Sequence, residues 1–236
     1  MLLSVVIPCF NEEGRLGRTL ERIREYLSRG QIDHEIIVVD DGSTDGTRDV
    51  AAAFPAVRLT PVRGNRGKGF SVREGMLHAR GDLALMTDAD LSTPIEELDR
   101  FLRLIETADV VIGSRALPGA EVKTVWYRKL FGRIGHLMIA SVTVQGIQDT
   151  QCGFKLFRGE TVRRIFPKQT LERFGFDFEV LFLAQRDGLR IHEEPVRWVN
   201  DPLTKVRWHD YPRTLGELLR VAWNRVRGAY GPAGAV

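Results

Sequence analysis

The chain has 236 residues, of which 43% are hydrophobic and 28% charged, and its formal net charge is +3. That length suits one domain, or one domain with an appended element, and the composition supports a sizeable core rather than disorder. So small a net charge gives no reason to expect nucleic acid as a partner, and no run of about 18 uncharged apolar residues marks a membrane-spanning helix. The opening MLLSVVIPCF lacks a charged leader and is interrupted by Pro8, so it does not read as a signal peptide. Cys9 and Cys152 have no CxxC or Cys/His spacing and read as buried free thiols, compatible with a reducing cytosol.

In chain order, Leu2–Ile7 is an apolar run rich in β-branched residues and reads as a buried parallel strand. Asn11 to Ser28 carries Leu16, Leu20, Ile23 and Leu27 at helical spacing. Glu35–Val39 is a second strand, followed by the turn DDGSTDG and a short helix over Val50–Phe54. Val57–Thr60 is a third strand; the glycine-rich GNRGKG leads into a helix over Phe70–Ala79. Leu83–Thr87 is a fourth strand running into Asp88, Pro94–Glu106 is helical, and Asp109–Gly113 is a fifth strand. Strands alternating with helices predict an α/β fold with a doubly wound, mostly parallel sheet, whose ligands bind at the carboxyl ends of the strands.

After Ser114 the pattern loosens. Lys123–Ser141 mixes aromatic, apolar and basic residues in one or two helices, and Gly146–Phe157 is a polar turn feeding a strand. A helix is expected over Gly175–Gln185, a strand over Ile191–Val199, and a C-terminal amphipathic helix over Thr214–Arg227. Residues 1–200 are expected to form the catalytic domain, and residues 201–236 a basic amphipathic segment.

Four motifs carry candidate chemistry. The triplet Asp88-Ala89-Asp90 follows an apolar strand, and residues i and i+2 share one side if the strand persists. Two such carboxylates repel unless a hard cation such as Mg²⁺ or Mn²⁺ joins them; the alternative is a pair of capping or solvated turn aspartates before Pro94. Asp40 or Asp41 at the second strand end can hydrogen-bond a base or ribose, although Asp, Gly and Ser are also ordinary turn residues. GNRGKG is not a Walker loop, since Gly69 follows Lys68; Arg66 and Lys68 lie over a phosphate or base, or else decorate a basic surface turn. Arg115, ending the fifth strand in GSR, suits a diphosphate through bidentate contacts or is a surface arginine. Without GxGxxG in the first turn, which reads PCFNEE, an NAD-linked oxidoreductase is disfavoured. The five histidines lie in unrelated contexts.

The order VVIPCFNEE, IIVVDDGSTDGT, NRGKG, DADLSTP and GSR resembles the family 2 glycosyltransferases of the GT-A fold. RKLFGR, GIQDTQCGFKLF and ERFGFDFEVLFLAQ extend the resemblance, over roughly residues 1–200, to the dolichyl-phosphate β-glucosyltransferases. The resemblance implies that Pro8, Asn11, Glu12, Asp40 and Asp41 line the nucleoside pocket, with Lys68 beside it. Asp88 and Asp90 would bind the metal and diphosphate, and Arg115 and Arg128 the phosphates of donor or acceptor. Asp149, Gln151, Lys155 and Asp177 would shape the sugar and acceptor side. The catalytic set is then Asp90, Arg115, Arg128 and Asp149. Mannose synthases of this kind usually carry Gln where this chain has Ser92, which weakens GDP-mannose as donor and leaves Ser92 a poor metal ligand.

The implied reaction is inverting transfer of glucose from UDP-glucose to a polyprenyl phosphate, giving a β-linked lipid-phosphate sugar. A lipid monophosphate is already anionic near neutral pH and needs little general-base help; the demand is electrostatic, for a metal and arginines to hold two anions together. A polyprenyl phosphate places the enzyme on a bilayer, as a peripheral protein on the cytoplasmic face. Trp126–Ser141, with Arg128, Lys129 and Arg133, and a C-terminal set of Arg207, Trp208, Arg213, Arg220, Trp223, Arg225 and Arg227 suit an anionic interface, or else form helices packed on the core with solvated charges. The alternatives are a GDP-mannose donor or saccharide acceptor on the same fold, and a nucleotide-sugar-binding module without turnover.

Overall fold

The structure is a computed structural model and describes residues 1–123, 144–199 and 210–231. The expectations on Trp126–Ser141, Arg128, Arg207 and Trp208, and on the side chain of Arg213, fall outside the described residues.

The first half alternates as the apolar periodicity requires: β1 (Leu3–Cys9), α1 (Glu13–Arg29), β2 (His34–Asp40), α2 (Thr47–Ala52), β3 (Val57–Pro61), α3 (Lys68–His78), β4 (Leu83–Met86), α4 (Leu98–Leu104) and β5 (Val110–Ser114). It continues with β6 (Glu121–Lys123), β7 (Lys155–Arg158), α5 (Gly159–Ile165), α6 (Phe176–Arg186), β8 (Ile191–Pro195), β9 (Arg197–Val199) and α7 (Asp210–Val226). Seven strands form one sheet in the order β3-β2-β1-β4-β7-β5-β8. β1, β2, β3 and β4 are mutually parallel, as are β5 and β8, while β7 runs antiparallel between β4 and β5.

Alternate residues of each strand enter opposite core layers, as the two-residue repeat of a strand dictates. Val6, Ile37 and Val39 face a layer built with α3, α5, α6 and α7. Val5, Ile7, Ile36 and Val38 face one built with α1 and α4. α1 buries Leu16, Thr19, Leu20, Ile23, Tyr26 and Leu27 on one stripe, so its outer face is free to be charged. α7 joins the first layer through Leu218 and Val221.

Three local expectations are corrected. β4 stops at Met86, so Asp88 and Asp90 stand on a turn rather than on a continued strand, and Leu91 within it takes φ 47°. The segment Ile191–Val199 is two strands rather than one, because Val196 donates to the Ser114 carbonyl and sends β9 to pair with β6 in a separate two-stranded sheet. α3 begins at Lys68 rather than Phe70, which puts Lys68 in the first helical turn.

Candidate active site

The chain runs outward from β1 through β2 to β3, then returns to β1's other edge as β4, so the strand order reverses between β1 and β4. That switch point opens a crevice beyond the carboxyl ends of the strands. Pro8 sits where β1 has outrun β4: the β1–β4 register covers Leu3–Val6 against Leu83–Met86, and Pro8 pairs only with Val39 of β2. Its missing N–H therefore falls on a side with no strand partner. Asn11 follows with φ 54°, a left-handed conformation that asparagine tolerates. Its side-chain oxygen accepts from the Thr44 N–H at 2.8 Å, and its own N–H donates to Ser43 Oγ at 2.9 Å, so the first and second turns are laced together.

Asp40 and Asp41 are both buried but differently held. Asp40 accepts from the Ser43 N–H and from Arg48. Asp41 accepts the N–H groups of Arg66 at 3.0 Å and Gly67 at 2.8 Å. Burial pushes the Asp41 carboxyl above the ordinary range, against the pull of those two donors. Arg66 itself turns away, pairing with Glu172 and stacking 3.8 Å over the Phe70 ring. Two glycines of GNRGKG, Gly67 and Gly69, answer to packing. Gly67 has φ 119°, and a Cβ there would lie 2.5 Å from the Glu172 carbonyl; one on Gly69 would lie 2.7 Å from those of Leu171 and Arg173. The loop is thus docked on the 171–173 segment, and the docking delivers Lys68 into the crevice.

Lys68 Nζ stands 2.6 Å from Asp88 Oδ1. Although burial opposes its charge, Asp88 and then Asp177 raise the Lys68 pKa above the ordinary lysine range. The rest of the DAD turn is equally constrained. Thr19 Oγ1 of α1 donates to the Ala89 carbonyl at 2.6 Å, and the Ser92 N–H donates to Asp90 Oδ1 at 2.9 Å. Arg15, one turn before Thr19 on α1, pairs with Glu12 and places its guanidinium 3.9 Å from Asp90 Oδ2. Burial, followed by the like charge of Asp88, raises the Asp90 carboxyl. Gly153 lies against the other oxygen of Asp88: a Cβ there would sit 1.9 Å from Oδ2, so no side chain is tolerated at that position without moving Asp88.

Arg115, at the end of β5, makes a bidentate pair with Asp149 (Nε–Oδ2 2.7 Å, Nη2–Oδ1 2.9 Å), and its own N–H donates to the same carboxylate at 2.9 Å. Despite burial, which opposes it, Arg115 draws the Asp149 carboxyl down to about 2. Glu193 of β8 sets the pair from behind, accepting the N–H groups of Gln148 and Asp149. The guanidinium lies 5.6 Å from the Trp198 ring centroid, with its side chain 32% exposed, and so keeps a face toward solvent. Gln151 is exposed beside it. Lys155 and Asp177 are not surface groups. Lys155 is 1% exposed, donates to the Cys152 carbonyl at 2.6 Å and pairs with Asp177, itself 4% exposed. Cys152 is fully buried, and burial, then the Asp149 charge, raises its thiol to about 11, an inert group.

Pro8, Asn11, Glu12, Asp40, Asp41, Lys68, Asp88, Asp90, Arg115, Asp149 and Gln151 thus gather along one end of the sheet, with Lys155 and Asp177 as a buried pair beneath them; Arg128 lies outside the described residues. Reading the sequence missed Arg15, Thr19 and Gly153. Gly153 was visible inside DTQCGFK, but its reason, an approach to a carboxylate 65 positions earlier, was not. Arg15 and Thr19 share a helix face at i and i+4, a spacing that would have paired them.

A glycosyl transferase family 2 model matches residues 4–166. The chain belongs to this family. It is 41% identical over 212 residues to a dolichyl-phosphate beta-glucosyltransferase of Trichomonas vaginalis, covering 83% of this chain and 63% of that protein. It is 37% identical over 216 residues to the dolichyl-phosphate beta-glucosyltransferase of Homo sapiens, covering 83% of this chain and 67% of the human protein. The chain thus spans about two thirds of the length of these relatives. Glucosyl-3-phosphoglycerate synthase from Mycobacterium tuberculosis, crystallised with UDP, shares the fold at TM-score 0.70 and 19% identity, covering 94% of this chain and 80% of that one. The same synthase crystallised with Mn²⁺, UDP-glucose and phosphoglyceric acid aligns at TM-score 0.67 and 20% identity, covering 95% and 79%.

Among the described residues no group of three or more His, Cys, Asp or Glu could hold a metal ion. Asp88 and Asp90 nevertheless fit one type of cation: they offer hard carboxylate oxygens only, they repel each other, and a Mg²⁺-like ion completes its shell with substrate phosphates and water.

Proposed function

We propose that this chain transfers glucose from UDP-glucose to a polyprenyl phosphate of the dolichyl type, with inversion and with Mg²⁺ or Mn²⁺. The observation that carries the reading is the placement, at one end of a single sheet, of the Asp88–Asp90 carboxylates after β4 and of the Arg115–Asp149 pair after β5, two strands away. Identities of 37–41% to dolichyl-phosphate beta-glucosyltransferases favour the lipid phosphate and glucose, and the UDP-glucose in the Mycobacterium tuberculosis complex favours the donor.

The residues divide the work. Pro8, Asn11, Glu12, Asp40 and Asp41 form the nucleoside wall, Asp41 and Asp40 being held rigid by the turn amides. A divalent cation held by Asp88 and Asp90 would offset charge on the departing diphosphate. Arg115, fixed by Asp149, presents its free face to phosphate oxygens, and Arg128, outside the described residues, is assigned a phosphate-binding role by the family resemblance alone. Gln151 meets the acceptor directly, while Lys155 and Asp177 hold that wall from beneath. No base is required, because the acceptor phosphate arrives ionised.

The direct test is product formation from UDP-glucose, GDP-mannose and UDP-N-acetylglucosamine with a short polyprenyl phosphate, with Mg²⁺, with Mn²⁺ and with chelator. Lipid-linked β-glucose from UDP-glucose alone, lost with chelator, is the expected result. Absence of any lipid product from a folded protein that still binds UDP-glucose would reject the acceptor.

A peripheral position on the cytoplasmic face of a membrane belongs to the same proposal. No helix of the described residues is long and apolar enough to cross a bilayer. The outer face of α7 carries Leu219, Trp223 and Val226, which are 61%, 59% and 81% exposed, with Arg220 and Arg227 alongside. Apolar side chains between arginines suit an anionic lipid surface. Replacing Leu219 and Trp223 together by Glu is expected to lower binding to anionic vesicles at least fivefold with the melting temperature unchanged, because neither side chain is in the core. Undiminished vesicle binding would remove α7 from the interface.

A further inference from the structure

We infer that Glu179, with Tyr230 closing on it, is a positioning residue that seats the glycine-rich loop bearing Lys68, so that the C-terminal helix α7 bears on donor binding. The effect on the donor rests on the functional reading above; the seating of the loop does not. The seat is the segment from Gln169 to Arg173. Phe70 donates its N–H to the Glu172 carbonyl at 2.9 Å, and Gln169 Nε2 donates to the Gly69 carbonyl at 2.8 Å. Gly67 and Gly69 press on the carbonyls of residues 171–173, and Arg66 pairs with Glu172. On its other side the loop gives the Arg66 and Gly67 N–H groups to Asp41. A shift of the seat therefore moves both Lys68 and the amides that hold Asp41.

The seat has no regular structure of its own to fix it, since residues 169–175 lie in neither helix nor strand. Backbone donors turned inward from such a segment need side-chain partners. Glu179 of α6 supplies them. Fully buried, its carboxylate accepts the Thr170 N–H at 3.0 Å, the Leu171 N–H at 2.8 Å and the Thr170 hydroxyl at 2.6 Å. The fourth donor is the Tyr230 hydroxyl, at 2.8 Å. Gly228, at φ 67°, turns the chain back beyond α7. Tyr230 then lies buried, its ring centroid 5.8 Å from that of Phe182 and its carbonyl accepting from Arg186 at 3.0 Å. α7 grips the same segment twice more. Asn224 Nδ2 donates to Thr170 Oγ1 at 3.3 Å, and Glu217 accepts the Gly175 N–H at 2.8 Å. Hydrogen bonds to a buried carboxylate are strong in that low-dielectric setting, and losing one leaves a polar group uncompensated. Contact thus runs from α7 and Tyr230 through Glu179 to Thr170 and Leu171, and from that seat to the loop that delivers Lys68 into the crevice.

The test is amide hydrogen exchange of the full chain, with steady-state transfer measured alongside, for the wild type, Tyr230→Phe, Glu179→Leu and Glu179→Gln. Tyr230→Phe removes one donor and keeps the ring. Glu179→Leu strands the Thr170 and Leu171 amides. Glu179→Gln keeps an oxygen for those amides and turns its NH₂ to the two hydroxyls, which rotate to accept it. Exchange at Phe70, Ser71, Thr170 and Leu171 is expected to quicken about fivefold in Tyr230→Phe and about tenfold or more in Glu179→Leu, with Leu20–Leu27 of α1 unchanged. The KM for UDP-glucose is expected to rise about threefold and about tenfold in the same two variants, with the KM for a short polyprenyl phosphate within about twofold of the wild type. Glu179→Gln should restore both readings most of the way. Wild-type exchange at the four amides overturns the inference. So does equal acceleration in α1, which would be general loosening, and so does an unchanged KM for UDP-glucose with a loosened loop. If Glu179→Leu does not fold, Tyr230→Phe decides by the same readings. If the wild type does not turn over UDP-glucose, the donor reading fails, and the exchange comparison still decides whether Glu179 seats the loop.

Discussion

Asp90→Ala is expected to lower glucosyl transfer by roughly a thousandfold, a loss of about 4 kcal/mol of transition-state stabilisation. Asp88 and Asp90 would hold the cation between them, so loss of Asp90 would take away one of its two carboxylate ligands. The fold should survive. Asp90 stands on a turn fixed independently by Thr19 at the Ala89 carbonyl, and burial together with Asp88 makes its ionised form a net cost. Its removal forfeits the Ser92 hydrogen bond but relieves that repulsion, so the melting temperature is expected to move by no more than a few degrees. Turnover at saturating metal and a thermal melt on the same preparation are the measurements. Retained activity would detach Asp90 from catalysis, and inactivity accompanied by unfolding would make its role structural.

Lys155→Met carries the largest expected effect on stability. Lys155 and Asp177 are buried within the core wall, and removing one member of such a pair leaves a charge without compensation, at a cost of about 3–5 kcal/mol. For a chain of this size that corresponds to a fall in melting temperature of roughly 6–20 °C. The cost depends on pH in a definite direction. Burial already holds the Asp177 carboxyl above its ordinary range, against the opposing pull of Lys155 and then Lys68. Without Lys155 it rises further. Below about pH 3.9, the unfolded value, Asp177 is protonated in both states and costs nothing extra; above it, stability falls until the folded-state value is passed. The deficit of Lys155→Met against the wild type is therefore expected to be larger at neutral pH than in mild acid, and Lys155→Met/Asp177→Asn should recover most of it. A deficit independent of pH, with no recovery in the double variant, would assign the loss to packing of the lysine stem.

The distinction between those two residues and Arg115 could not be drawn from the motif. DTQCGFK presents Asp149, Gln151 and Lys155 as three similar polar positions, yet one is pinned under Arg115, one is exposed, and one is buried in β7. Strand alternation alone places Lys155 on one face or the other. Which face is filled depends on β7 entering antiparallel between β4 and β5, and on α6 bringing Asp177 to meet it.

What the sequence determined by itself was the first-half frame. Apolar β-branched runs ended by Asp, Gly and Asn turns place Pro8, Asp40, Asp41, Asp88 and Arg115 at one end of a parallel sheet, because strand direction and right-handed crossovers leave little choice. Local signals suffice there, since each element buries its face by its own periodicity. The tertiary structure alone decided the partners: Lys68 on Asp88, Arg15 near Asp90, Gly153 beneath Asp88, and Asp149 clamped by Arg115. Those contacts join residues tens of positions apart, and their energies come from burial and charge in a crevice that exists only after the sheet has closed around it.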